Sequence, residues 1–574
     1  MSNFAYPNPR TLDPRGRRLQ RFFEVIPGII TWFTLLGMFV FSFLVPVWIA
    51  VFIIAFDIYW LYRTIYISTY SIMAFRKMKK HKLIDWMEAC RRISDPENFL
   101  AEIDRQVQAC SLNRMFQKNK EQSTTLLLHA GKNNRKLQIQ ALKELKKEIR
   151  SVAPGKEKFM DWRDIYHVIL LPTAGENPEI IEPAIQAVAD SSFPNEQFII
   201  LLATEEREDE EKRNRKISYL KKKFDGVFFD FLATIHKVEA GEMKAKASNT
   251  TYAAKYLKKY FEEKNIPLER VILSNFDCDT CAHGEYFAAL TFKYITEPNR
   301  LQFAYQPLPM YHNNIWDTNA FVRIIVTGSS FWHMVEAMRP EHMVTFSSHS
   351  EAFQTIVDVD YWPVNVISED SIIYWKCYAY FNGNYKVKPI YLPVSLDAVL
   401  ADTYWHTIQN QYKQKRRWAY GIENFPLLAR AFLANKKIPF GKKVKHLFTM
   451  LEGHWSWATN AFVIVLLGWL PVMIGGSKFN ESVLAHNLPY MTRYLMNAAL
   501  IGLVVSMFLS LMLLPPRPKR YTRKRYIYMF LQWFLVPITA PFLGAMPAID
   551  SQTRILFGKY FGEFWVTEKV RKKD

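Results

Sequence analysis

The chain has 574 residues, 49% hydrophobic and 22% charged, with 74 basic against 54 acidic side chains and a net charge of +20. That length exceeds one ordinary domain, and an aromatic content of 15% excludes an acidic disordered chain. Five cysteines exclude a disulfide-stapled secreted scaffold, while a mean hydropathy of −0.10 is an average that can hide membrane segments diluted by a large aqueous part.

From residue 25 to 67 the sequence is almost continuously apolar, broken by Pro46 and charged only at Asp57 and Arg63. Roughly 20 apolar residues cross a bilayer core of about 30 Å, so this stretch is long enough for a hairpin of two spans turning near 44–48. Further apolar stretches cover 455–474, 495–514 and 526–549. The flanks set sidedness. Arg10, Arg15, Arg17, Arg18 and Arg21 precede the first span, and Arg76, Lys77, Lys79, Lys80 and Lys82 follow the second. Residues 475–489 hold only Lys478, whereas 515–525 hold Arg517, Lys519, Arg520, Arg523, Lys524 and Arg525. The positive-inside rule puts the basic flanks and the central region in the cytoplasm. The tail is basic too (Lys569, Arg571, Lys572, Lys573), so 526–549, which carries Pro537, Pro541 and Pro547, is expected to form a re-entrant or interfacial hairpin.

The resulting division is a basic cytoplasmic N-terminus (1–24), a transmembrane hairpin (25–67) and a helical cytoplasmic linker (68–160). An α/β catalytic domain (161–424) and an interfacial amphipathic region (425–454) follow. C-terminal transmembrane and re-entrant segments (455–549) and a basic cytoplasmic tail (550–574) complete it. Within the α/β domain the pattern predicts strands at 166–171, 198–203, 227–234, 271–276 and 301–305. Helices are expected between them, at 180–190, 208–223 and 247–263. Such alternation makes a mostly parallel sheet with helices on both faces, and ligands bind at the carboxyl ends of its strands.

Polar residues stand at those ends: Thr173 and Glu176 after the first strand, Glu205 after the second, Asp277 and Asp279 after the fourth. Two carboxylates one residue apart point the same way if the strand persists, and hard oxygens select Mg²⁺ or Mn²⁺. Lys244-Ala-Lys-Ala-Ser-Asn249 lies upstream. Ser368-Glu369-Asp370 and Gln414-Lys-Arg-Arg417-Trp418 lie downstream.

The order K-A-x-A-x-N, D-x-D, E-D, Q-x-x-R-W, bracketed by membrane segments, resembles the family-2 glycosyltransferases. More narrowly it is similar to the membrane-embedded synthases of cellulose, chitin and hyaluronan. The resemblance covers roughly residues 165–418 and implies a GT-A (Rossmann-like) α/β catalytic domain combined with α-helical transmembrane segments. It implies inverting transfer of a sugar from a nucleotide diphosphate donor, a uridine nucleotide being favoured over guanosine. Asp279 would be the metal ligand and Asp277 a metal and donor contact. Asp370 would be the general base, with Glu369 as its partner. Lys244, Asn249 and Arg417 would meet the nucleotide or its diphosphate, and Thr173, Glu176 and Glu205 the nucleoside. Gln414 and Trp418 would hold the acceptor. Ser368 stands where the family usually has Thr, and the usual Asp pair after the second strand is missing.

Other features are read as structural. Lys413, Lys415 and Arg416 are expected to face phospholipid headgroups. Cys278-x-x-Cys281 is neither a zinc site nor a redox motif without its fold, and the histidines are expected to be structural hydrogen bonders. The expected product is a growing polysaccharide made processively, possible extrusion included. A non-processive transferase acting on a membrane lipid and a catalytically silent scaffold are the alternatives. The expected partners are a nucleotide-sugar, a polysaccharide or lipid acceptor and membrane lipids, but not nucleic acid, because the charge tracks the membrane flanks. The expected location is a bacterial inner or plasma membrane.

Overall fold

The apolar N-terminal run becomes two helices, α1 (Pro14–Leu44) and α2 (Pro46–His81), with Val45 alone between them. They come from a computed structural model that describes residues 12–111, 127–128, 135–562 and 571; Arg10, Lys569, Lys572 and Lys573 lie outside the described residues. The basic flanks on both sides of the hairpin are helical continuations of the spans. α2 runs on into the α/β domain, where Ala74, Phe75 and Met78 are buried in one core with Val168 and Leu170 of the sheet. The N-terminal helix pair and the α/β domain are therefore packed together at this point.

Among the described residues, eight strands form a single sheet: β1 (Tyr166–Pro172), β2 (Phe198–Glu205), β3 (Asp230–His236), β4 (Val271–Asn275), β5 (Cys281–Ala282), β6 (Phe303–Met310), β7 (His349–Ala352) and β8 (Lys386–Ser395). Their order is β3-β2-β1-β4-β7-β6-β8-β5. β3, β2, β1 and β4 are parallel neighbours, β7 runs antiparallel to both β4 and β6, and β6 and β8 are again parallel. The mixed α/β class is the one expected, with all five anticipated strands present. β1 and β2 have continuous apolar centres (168–172 and 198–203) and are buried along nearly their whole length, as strands covered on both faces must be. Helices Pro178–Ala189, Glu210–Lys223 and Lys246–Glu263 make the crossovers. One core lies on each face of the sheet.

After the domain, Asn424–Ala434 and Phe440–Val465 follow, and the latter bends by 54° into Leu467–Ile474. The expected interfacial stretch and the next span are thus partly one helix. Among the described residues, four helices are long and apolar enough to cross a membrane (α1, α2, Val483–Leu513 and Arg525–Leu556), or five if the bent pair is a single span. The close approach of Val483–Leu513 to α2 depends on Gly502, where a Cβ would overlap Thr64. The proline-rich segment expected to turn back as a hairpin is instead a helical run, Arg525–Leu556. It absorbs its prolines in a 3-10 turn at Gln532–Leu535 and a π-turn at Ala540–Ala545. Both ends of that run bond to the catalytic domain or the helix leaving it. Arg525 donates to the Trp316 carbonyl at 3.2 Å, and Asp550 pairs with Arg416 at 3.0 Å.

Candidate active site

The parallel arrangement brings the carboxyl ends of β1, β2 and β4 to one edge of the sheet. β4 stops at Asn275, and the chain then turns, with the Thr280 N–H donating to the Asp277 carbonyl at 2.9 Å. The strand does not persist through the D-x-D pair, so strand alternation does not set where the two carboxylates point. Asp277 faces Lys246 and Ser347. Asp279 is buried and accepts the Asp397 backbone N–H at 2.7 Å.

Lys246 organises the site. It opens the helix Lys246–Glu263, and its ammonium lies 2.9 Å from Asp277, 3.2 Å from Glu369 and 3.3 Å from Asp370. Those carboxylates hold the ammonium well above its usual range despite its burial. Lys244, the lysine expected to meet the nucleotide, is exposed and pairs with none of these carboxylates. Glu369 and Asp370 form the first turn of the helix Glu369–Tyr380, whose N-terminus favours negative charge. Burial and the neighbouring Asp370 push Glu369 up to about 8, with Lys246 opposing the shift. Burial draws the Arg417 guanidinium down while Asp277, Glu369 and Asp370 pull it back up. Lys246 and the D-x-D, E-D and Q-x-x-R-W motifs therefore converge on one cluster of charge.

The other sequence-selected residues have definite places. Thr173 is buried with its hydroxyl at 3.1 Å from Glu208 and 3.2 Å from Lys216. Glu176 accepts the Ala174 N–H at 2.7 Å. Glu205 is buried, pairs with Arg207, and is raised by that burial. The Asn249 amide donates to the Ala203 carbonyl at 2.8 Å, tying its helix to the end of β2. Gln414 is buried and accepts from Gln411 at 3.2 Å. Trp418 lies with its ring centre 6.3 Å from that of Tyr311. Two expectations about the basic residues around it are corrected. Lys415 turns inward between the Trp418 and Trp457 rings, and Arg416 pairs with Asp550, so neither is a free headgroup contact.

Several participants come from distant segments. The Ser347 hydroxyl donates to Asp277, and Ser348, in left-handed backbone at φ 64°, bonds Thr280 at 2.8 Å. His349 lies 4.0 Å from Asp370, with its Nδ1 bonded to the Phe346 carbonyl at 2.8 Å; burial lowers its pKa and keeps it neutral. Glu423 accepts the N–H groups of Ile367 (2.9 Å) and Ser368 (2.7 Å) and the Ser368 hydroxyl (2.7 Å), fixing the turn that presents Glu369 and Asp370. Arg571 from the tail forms a two-pronged pair with Asp397 beside Asp279. Only the serine loop carried a signal, the run Phe346-Ser-Ser-His-Ser350.

Hard carboxylate oxygens from Asp277 and Asp279 fit Mg²⁺ or Mn²⁺ in kind, and the Asp277 side chain is 33% exposed toward the site. His81, Glu144 and Glu148 also offer ligand atoms within 4.8 Å of one another. Lys77 and Lys80 already pair with Glu144, and Lys293 with Glu148, so an added cation is disfavoured there. All five cysteines are free thiols.

No family model matches the chain, and no curated protein does. Solved structures similar to it include the mannosyltransferase PcManGT from Pyrobaculum calidifontis in complex with GDP-Man and Mn²⁺ (12% identity, 59% of this chain and 86% of that one, TM-score 0.33). S. aureus TarS 1–349 in complex with UDP-GlcNAc is similar at 12% identity, over 60% of this chain and 90% of that one, TM-score 0.33. GalNAc-T7 with UDP, GalNAc and Mn²⁺ is similar at 8% identity, over 51% and 58%, TM-score 0.32. These likenesses are too remote to carry a functional argument, which rests on the geometry of the chain.

Proposed function

We propose that the chain is a membrane-bound, inverting glycosyltransferase that moves a sugar from a nucleotide diphosphate donor onto a growing polysaccharide. The observation that carries this reading is the convergence of Lys246, Asp277, Glu369, Asp370 and Arg417. Departure of a nucleoside diphosphate leaves negative charge that needs cations, and the acceptor hydroxyl must lose a proton to a carboxylate.

Asp370, less buried than Glu369, is the base that takes the acceptor proton. Burial and the neighbouring Asp370 raise Glu369 and favour its protonated form, while Lys246 opposes the shift. A single displacement with one base on the acceptor side inverts the anomeric carbon. Arg417 offers a planar fork to the departing diphosphate. Asp277 and Asp279 would hold Mg²⁺ or Mn²⁺, which would supply Lewis-acid stabilisation of that same charge. Trp418, on the side of the membrane helices, offers an indole face to the acceptor sugar.

Product sizing tests the polysaccharide reading. Purified protein given radiolabelled donor and limiting enzyme should make long chains before short ones accumulate. A product carrying one sugar on a lipid would contradict it.

A further inference from the structure

Lys246 and two cations of the helix Tyr404–Ala419 have acidic company. Lys246 has Asp277, Glu369 and Asp370; Arg416 has Asp550; and Arg417 lies in the field of the Lys246 carboxylates. Lys415 differs. Among the described residues no carboxylate pairs with it, and burial alone lowers it, to about 8. Its ammonium lies 5.0 Å from the ring centre of Trp418 and 4.7 Å from that of Trp457.

The two indoles come from different parts of the molecule. Trp418 belongs to the helix that carries Arg417 into the site. Trp457 belongs to Phe440–Val465, the first apolar helix after the catalytic domain, and is anchored by its Nε1 donating to the Gly544 carbonyl at 3.0 Å. His454 stacks on it with ring centres 6.2 Å apart. The ammonium thus stands where the catalytic helix meets the membrane bundle. Ring quadrupoles attract a cation but do not replace its lost water as a counter-ion does.

We propose that Lys415 binds an oxyanion carried by the acceptor, either a carboxylate on the saccharide or a phosphate joining the sugar to a lipid, while Trp418 and Trp457 flank the adjoining sugar. This rests on the reading of Trp418 as the acceptor site. A cation flanked by indoles selects an acceptor that is both charged and ring-faced. Free phosphate meets the ammonium but not the rings, and a neutral glycan meets the rings but leaves the ammonium unpaired.

Full-length protein in phosphatidylcholine nanodiscs is titrated with two matched pairs of probes, followed by tryptophan fluorescence. One pair is a glucuronate-terminated oligosaccharide and its glucose-terminated counterpart. The other is a polyprenyl-phosphate sugar and the neutral alkyl glycoside of that sugar. In at least one pair the charged probe should bind roughly tenfold to hundredfold tighter than its neutral mate, as a charge-assisted contact does. That pair identifies the source of the oxyanion. Lys415→Met should abolish the preference and Lys415→Arg should keep it. Equal or undetectable binding of charged and neutral probes in both pairs overturns the proposal using the native protein alone, whatever the variants' folding. So does a preference that survives Lys415→Met. Metal-dependent nucleotide release by the native protein, measured without probe, reports separately on the transferase reading. Its absence beside a retained charge preference would strike that reading and not this site.

Discussion

Lys246 balances three carboxylates with one ammonium whose side chain is 10% exposed, so removing it strands negative charge inside the site. Lys246→Met should cost about 3–5 kcal/mol of stability, the usual consequence of leaving a buried charge unpaired. Lys244→Met, at an exposed position two residues away, should stay within about 0.5 kcal/mol. Thermal unfolding of the two variants checks this. The base assignment predicts that Asp370→Asn lowers turnover by about 10²–10⁴-fold while donor binding changes little, to be read from turnover and nucleotide titration. The motif K-A-x-A-x-N made the neighbourhood legible but not the lysine. Which of the two enters the site depends on where the helix begins, and the sequence has no cap residue at that end to mark it. Asp397 and Glu423 were illegible for a related reason: each acts through a bond to a segment far along the chain.

At the level of elements, the site depends on a turn held from outside. The Glu423 carboxylate gathers two backbone N–H groups and one hydroxyl from Ile367 and Ser368, and Asn424 donates to Ser371 at 2.7 Å. Glu423→Ala should let Glu369 and Asp370 shift and lower kcat by roughly tenfold to hundredfold, with a smaller change in KM for the donor. Glu423→Gln keeps an accepting oxygen and should recover part of the loss, which steady-state kinetics would show. The parallel half of the sheet was legible because β1, β2 and β4 are short, apolar-rich runs between helical patterns. β7 is only His-Ser-Glu-Ala, and β8 contains Pro389 and Pro393, so neither reads as a strand locally. The membrane hairpin was legible from hydropathy, but its continuation through the basic flanks to His81 was not, because α2 is completed by burial against the sheet.

Across the whole molecule, α1 is tied to the end of Arg525–Leu556 and the residues just after it. Arg21 donates to the carbonyls of Ile555 and Leu556, and Tyr560 donates to Glu24 at 2.6 Å. With Arg525 and Asp550 both bonded back toward the catalytic domain, Arg525–Leu556 should lie along the membrane face without crossing it. A cysteine introduced at Tyr560 should then react with an impermeant thiol reagent only from the side of the catalytic domain. Reaction from the opposite side would contradict this arrangement. Buried carboxyls set a pH dependence as well. Burial pushes Glu351 up to about 8 and Glu423 to about 7, from ordinary values of 4.5. Each is protonated in the folded chain where the unfolded chain has already ionised, so the folded state binds more protons. Stability should therefore fall as pH rises from about 5 toward 8, and Glu351→Gln should flatten the profile of Tm against pH.

The central claim is that Lys246, Asp277, Asp370 and Arg417 form one nucleotide-sugar transfer site. It is tested most directly by incubating purified full-length protein with a panel of nucleotide-sugars and measuring nucleotide release, with Mg²⁺, with Mn²⁺ and with chelator. The account predicts release from at least one donor that requires the metal and is lost in Asp370→Asn. No release from any donor, or release that Asp370→Asn leaves unchanged, would contradict it.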